Sequence, residues 1–201
     1  MHIVIALMLA VMTTSAASAQ TSSPDYFQDP RTGCRIFFPN REPQKTIGWS
    51  GGCQNSLAHG RGVAQFYENG KPYIKCECEY REGKANGHGV QTAPRGRFEG
   101  EFRNDSFYAG VFTSTEGTRI EGQWRDGQPF GVMKFTFTDG MHWEAPVRDG
   151  RMNGPLTLLN TKTGIRWEGN VRNGEPIGSG KCFRPRDSRP VATSSVSCFV
   201  E

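Results

Sequence analysis

Several things are scarce in this sequence, and each scarcity removes a class of function. Charge of one dominant sign is missing: 24 Lys and Arg face 20 Asp and Glu, a formal charge of +4 in 201 residues. That balance, with carboxylates interleaved among the cations, lacks the basic footprint of a nucleic-acid binder. The longest apolar run, residues 3–12, is shorter than the about 20 residues needed to cross a bilayer as a helix. There is no glycine-rich phosphate loop and no Gly-x-Ser-x-Gly elbow. His59, His88 and His142 sit at expected turns or strand ends, without a fixed Asp or Ser partner and without metal-ligand spacing. The expectation is a protein that is not an enzyme and needs neither cofactor nor metal. A helical pattern is nowhere convincing before the tail.

What is abundant is glycine: 25 residues, about 12% against a usual value near 7%. The glycines recur in register, so they read as turns. One phrase is written three times, as Phe98-Glu-Gly-Glu-Phe-Arg-Asn-Asp105, Ile120-Glu-Gly-Gln-Trp-Arg-Asp-Gly127 and Trp143-Glu-Ala-Pro-Val-Arg-Asp-Gly150. Sliding it along the chain places its first position at Trp49, Cys76, Phe98, Ile120, Trp143 and Trp167, with gaps of 27, 22, 22, 23 and 24 residues. Such a period is too short for paired helices and fits one hairpin with its connection. Asp126-Gly127, Asp149-Gly150 and Asn173-Gly174 follow the first strands; Asn69-Gly70, Glu116-Gly117, Asp139-Gly140 and Thr163-Gly164 follow the second. Asn-Gly and Asp-Gly are strong hairpin signals because both residues tolerate positive φ. Strands joined by short turns must be antiparallel, which predicts an all-β, elongated, single-layer meander of six hairpin repeats and about a dozen strands, on the order of 55 Å long.

The ends differ from the array. Residues 1–19 read as a signal peptide, with an apolar run and Ala17-Ser18-Ala19 as a small-x-small cleavage site; an exported chain is expected, periplasmic or secreted. Residues 20–48 read as an amino-terminal cap, 49–181 as the array and 182–201 as a carboxy-terminal cap built from a loop and a strand. Six cysteines suit export and permit 15 full pairings. Cys34 and Cys53 bracket the start of the array, and Cys182 and Cys198 its end, so two terminal staples are the economical expectation.

Written as aromatic-Glu-Gly-x-aromatic-Arg-Asn/Asp-Gly-x-x-x-Gly-x-Gly, the copies resemble the MORN repeat. Trp167-Glu-Gly-Asn-Val-Arg-Asn-Gly-Glu-Pro-Ile-Gly-Ser-Gly180 follows the pattern throughout; Trp49, Gly51, Gly60 and Gly62 follow it in the first copy, and Gly83, Gly87 and Gly89 in the second. The opening segment, with Cys34, Pro39, Trp49 and Cys53, is similar to the leader of exported bacterial MORN proteins. The resemblance implies a twisted single-layer sheet with a groove that acts as scaffold, binding module or dimerisation element, with a membrane role also proposed for the family. Asp105, Ala109, Val111, Ala145 and Pro146 depart from the pattern, and a local break is expected at Pro146, since proline removes a ladder hydrogen bond.

Candidate sites follow from strand alternation. One face carries Trp49, Tyr80, Phe98, Phe102, Trp124, Trp143 and Trp167; most of these rings must pack, yet a partly exposed row suits a peptide edge or a glycan. The other carries a Glu column (Glu77, Glu99, Glu121, Glu144, Glu168) and an Arg column (Arg81, Arg103, Arg125, Arg148, Arg172) that reads first as a solvated face and second as a grip for anionic polymer or lipid headgroups. Cys76 and Cys78 share a strand face, either as a structural pair in place of missing aromatic packing or as a redox pair. The expected partner is a protein or peptide, then envelope polysaccharide or a membrane surface, bound through Phe98, Phe102, Trp124, Trp143, Trp167, Arg103, Arg125, Arg148 and Arg172.

Overall fold

Turn chemistry sets the architecture. In the computed structural model, which describes residues 25–39, 42, 44–187 and 189–199, both residues of Asn69-Gly70, Glu82-Gly83, Asn104-Asp105, Asp126-Gly127, Asp149-Gly150 and Asn173-Gly174 are left-handed, with φ between 47° and 91°. Two consecutive left-handed residues make the tight hairpin turn whose twist matches that of its strands. Asn69-Gly70 apart, at the second series of turns only the glycines Gly117, Gly140 and Gly164 have positive φ; Glu116, Asp139 and Thr163 sit in longer loops where one glycine suffices. The expected signal peptide, residues 1–19, lies outside the described residues.

The cap strands are β1 (Tyr26–Gln28), β2 (Arg35–Phe37), β3 (Lys45–Trp49) and β4 (Gly52–Gln54). The array follows as β5 (Leu57–Glu68), β6 (Lys71–Arg81), β7 (Lys84–Ala93), β8 (Gly96–Arg103), β9 (Ser106–Ser114), β10 (Arg119–Arg125), β11 (Gln128–Thr136) and β12 (Met141–Arg148). It closes with β13 (Arg151–Met152), β14 (Gly154–Asn160), β15 (Arg166–Arg172), β16 (Glu175–Phe183) and β17 (Val191–Thr193), then the helix α1 (Ser195–Phe199). All 17 strands belong to one sheet. Neighbours pair antiparallel, except for one parallel bridge between Arg35 and Leu57. The count exceeds a dozen because the array, with one strand split, already supplies twelve elements, and the caps add β1 to β4 at one end and β17 at the other.

That split is the break expected from proline. Pro146 stays within β12, opposite Val132 of β11, and its carbonyl accepts a 3.0 Å hydrogen bond from Asn153 N–H. Having no N–H to return, Pro146 leaves the ladder interrupted at Asn153, between β13 and β14. The tail corrects another expectation: residues 195–199 form α1 rather than a capping strand, and the strand lies earlier, as β17. The helix turns Cys198 inward, fully buried, to pair with Cys182.

Glycine also makes room on the inner face. The Trp49 ring lies against the bare backbone of Gly51 and Gly62, and Trp167 against Gly169 and Gly180, where a Cβ would collide with the indole. Burying such rings fully contributes about 2–3 kcal/mol each, in a sheet whose core is only this side-chain layer. The caps complete it at the two ends. Phe38 packs on Phe66 and Tyr73, with ring centroids 4.7 and 6.4 Å away, and Ile36 is fully buried. Asp29, also fully buried, accepts hydrogen bonds from Trp49 N–H at 2.9 Å, Arg31 N–H at 3.0 Å and the Thr32 hydroxyl at 3.1 Å. Burial works to raise its pKa, but these donors, with the Arg31 guanidinium, hold it below the ordinary carboxylate range. Cys34 pairs with Cys53 and Cys182 with Cys198, at Cα separations of 5.7 and 5.6 Å, so both terminal staples are present.

Candidate binding cleft

Residue alternation on β8 to β11 directs Phe98, Phe102, Phe107, Phe112, Ile120 and Trp124 to one face, as the register pairs Phe98 with Phe112, Phe102 with Phe107 and Phe112 with Ile120 show. The rings interlock: Phe98 stacks on Phe107 at 3.9 Å, and Trp124 stands edge-on to both at 6.0 Å. Phe98, Phe102 and Trp124 are buried, whereas Phe107, Phe112 and Ile120 are only half-buried. Above them lies a cleft of about 680 Å³, walled by Phe107, Phe112, Ile120, Trp124 and Pro129, with Arg95 and Glu116 at its edge.

The four tryptophans divide by position. At the ends, Trp49 Nε1–H donates to the Gly52 carbonyl at 3.0 Å and Trp167 Nε1–H to the Thr193 carbonyl of β17, also at 3.0 Å. In the middle, Trp124 Nε1 and Trp143 Nε1 are buried and have no acceptor among the described residues. An indole N–H is a donor only, and leaving it buried and unpaired costs about 1–3 kcal/mol. The indole N–H groups are thus satisfied under each cap and unsatisfied between them.

The other expected contact residues do not join this cleft. Phe98 and Phe102 are buried against the Phe107 ring and do not line it, Trp167 is sealed beneath the carboxy-terminal cap, and Trp143 packs 4.8 Å from Phe137 beside a separate hollow of about 430 Å³. Arg103, Arg125, Arg148 and Arg172 are exposed at the ends of strands on the opposite face. There the guanidinium of Arg103 lies 3.2 Å from the Tyr108 ring centre and that of Arg125 lies 3.8 Å from that of Phe130. The Glu column is held locally: Lys75 contacts Glu77 at 2.6 Å, Arg97 contacts Glu99 at 2.7 Å and Arg166 contacts Glu168 at 2.9 Å. The hydrogen bonds from Lys75 and Arg97 lower the pKa of Glu77 and Glu99. The Arg column therefore does not spend its charge on the Glu column. Cys76 and Cys78 pair with each other inside β6, and no cysteine is left free.

Phe107, Phe112, Ile120 and Pro129 are the lining residues that the sequence reading passed over. A signal for two of them existed: Phe107 and Phe112 flank Ala109 and Val111, where the third copy replaces family glycines with side chains. Asp105, another departure, keeps its two-residue turn because Asp, like Asn, tolerates the left-handed region.

A single open sheet of hairpin repeats, with glycine cradles on one face, defines a repeat module. The MORN repeat family model matches residues 79–96 and 121–142, so the chain carries MORN repeats. Both stretches contain a two-residue turn ending in glycine, Glu82-Gly83 and Asp126-Gly127. The copy at 167–180 lies outside both. No curated protein matches the chain.

Proposed function

We propose that this protein is a non-enzymatic binding module, exported after removal of residues 1–19, whose partner is a polypeptide seated in the cleft over Phe107, Phe112, Ile120 and Trp124. The observation that carries this reading is the contrast among the tryptophans: the terminal pair is covered and satisfied, while the central Trp124 is left without an acceptor beside an apolar cleft. Apolar side chains of a peptide fill such a cleft. Ring orientation favours peptide over glycan. Sugars stack on flat, open ring faces, whereas Phe98 and Phe107 cover each other's faces and Trp124 is fixed edge-on between them.

The test begins with selection from a displayed peptide library, run beside soluble cell-wall glycan fragments and vesicles of anionic phospholipid. Hydrogen exchange of the full mature chain with the selected peptide is expected to slow over residues 107–112 and 120–129. Protection confined to the strand ends bearing Arg103 and Arg125, or saturable binding of glycan or vesicles but no peptide, would contradict the assignment.

A further inference from the structure

At three tight turns the last turn residue is stitched to the preceding repeat. Gly83 N–H donates to the Ala58 carbonyl, Asp105 N–H to that of Ala85 and Gly174 N–H to that of Met152, at 2.9, 2.9 and 3.0 Å. Asp105 Oδ1 also accepts a 2.6 Å hydrogen bond from Ala85 N–H. Each carbonyl belongs to the second residue after the preceding tight turn. The corresponding bonds, from Gly127 to Phe107 and from Gly150 to Pro129, are absent among the described residues. The ladder between β9 and β10 stops at Ala109 and Gln123, so Ser106 to Tyr108 and Trp124 to Arg125 do not pair across that interval. Ala109 supplies a local reason. Four residues after the other tight turns stand Gly60, Gly87, Gly131, Gly154 and Gly178, with φ between 65° and 120°, a bend that an alanine resists.

Hollows open at the two unstitched intervals. The first, a notch of about 350 Å³, is lined by Arg103, Tyr108, Gln123 and Arg125, and also by Phe107 and Trp124, which line the apolar cleft as well. Where the strands part, the two faces of the sheet meet. Asp126 lines the notch too, so two cations stand there against one carboxylate. Arg103 and Arg125 lie over Tyr108 and Phe130, and neither is within ion-pair distance of a carboxylate among the described residues. A guanidinium laid on a ring is held in place and keeps its forked donors free for a carboxylate, so less side-chain freedom is lost on binding. The notch continues into the second hollow, about 450 Å³, which shares Arg125 and Phe130 and reaches Arg148. A chain lying there is not brought to a stop, which suits a carboxylate on a side chain rather than at a chain end.

The geometry points to an acidic-residue subsite for the partner, resting on the peptide reading of the cleft: the polypeptide seated over Phe107 and Trp124 continues between the turns at Asn104-Asp105 and Asp126-Gly127, and sets an Asp or Glu side chain against Arg103 and Arg125. The apolar cleft supplies the anchor, and the notch selects among apolar peptides by charge.

Peptides are selected from a displayed library on the full chain, and the positions of acidic residues relative to the apolar anchors are read from their sequences. An Asp or Glu at a fixed offset is expected. One selected peptide and its acid-to-amide form are then titrated calorimetrically against wild type and against Arg103→Gln with Arg125→Gln, checked for folding by circular dichroism. Either change alone is expected to weaken binding at least about fivefold, and the two together no more than one. Lys181→Gln with Arg186→Gln, the same loss of charge at exposed sites near the carboxy-terminal end, is expected to bind as wild type does. Equal affinity for the amide peptide, or losses that multiply when both changes are made, overturns the subsite; hydrogen-exchange protection over residues 107–112 and 120–129 then shows that the cleft reading stands without it. Selected peptides that leave those residues unprotected overturn both. Anionic vesicles that bind wild type and not the double Arg variant, with peptide affinity unchanged, assign these arginines to a lipid surface and also overturn the subsite.

Discussion

A buried carboxyl held near pKa 7 makes stability depend on pH in an unusual direction. Asp105 is raised from its ordinary value to about 7 by desolvation, so the folded chain holds this proton more tightly than the unfolded one. Its contribution is present below about pH 4 and is lost as pH climbs through 7, a decline on the order of 2–4 kcal/mol. Asp105→Asn keeps an acceptor for Ala85 N–H and has no charge to desolvate. Urea denaturation at pH 5 and pH 8 is expected to show wild type weaker at pH 8 and the variant level between the two; a variant that declines as steeply as wild type would refute the assignment. Asp29 works in the opposite sense, since its pKa is lowered: its contribution is present above about pH 4 and lost as acid protonates it. Gly62 illustrates a steric constraint. A Cβ there would enter the Trp49 ring, so Gly62→Ala is expected to cost about 1–3 kcal/mol by overpacking, read as a lower urea midpoint with an unchanged slope.

Among the elements, the staples and the turns carry different loads. In the chain-entropy model, the loops of 19 and 16 residues closed by Cys34–Cys53 and Cys182–Cys198 contribute about 3 kcal/mol each, while a bridge between residues two apart contributes about half as much. Cys182→Ala with Cys198→Ala is therefore expected to lower the denaturation midpoint clearly more than Cys76→Ala with Cys78→Ala; the reverse order would show that β6 depends on its internal bridge. The turns were legible beforehand because Asp126-Gly127, Asp149-Gly150 and Asn173-Gly174 state their backbone conformation in their own composition. The break near Pro146 was legible for the same local reason, a missing N–H. The helix at Ser195–Phe199 was not: five residues without charge are too few for a helical period to show, and the Cys182 link that positions them is a tertiary fact. Nor could the second series of turns be assigned to longer loops, because Glu116-Gly117 and Thr163-Gly164 share one glycine signal with the tight kind.

At the scale of the whole molecule, the array supplies one continuous aromatic face and the two caps decide how much of it remains open. Alternation along each strand predicted which residues face inward, and the structure agrees for Trp49, Phe98, Phe102, Trp124 and Trp167. It could not predict which of them are covered, because that depends on where Phe38 and Thr193 come to lie after the chain turns back on itself. The uncovered interval runs from Phe107 to Pro129, and the account rests on its being the contact surface. The most direct measurement is the affinity of a cleft-selected peptide for two single variants, Ile120→Asp on the open cleft and Val132→Asp, exposed on the opposite face. Binding at least tenfold weaker for Ile120→Asp, about 1.4 kcal/mol, with Val132→Asp equal to wild type, is the predicted result; equal affinity for Ile120→Asp, or loss only in Val132→Asp, would contradict it.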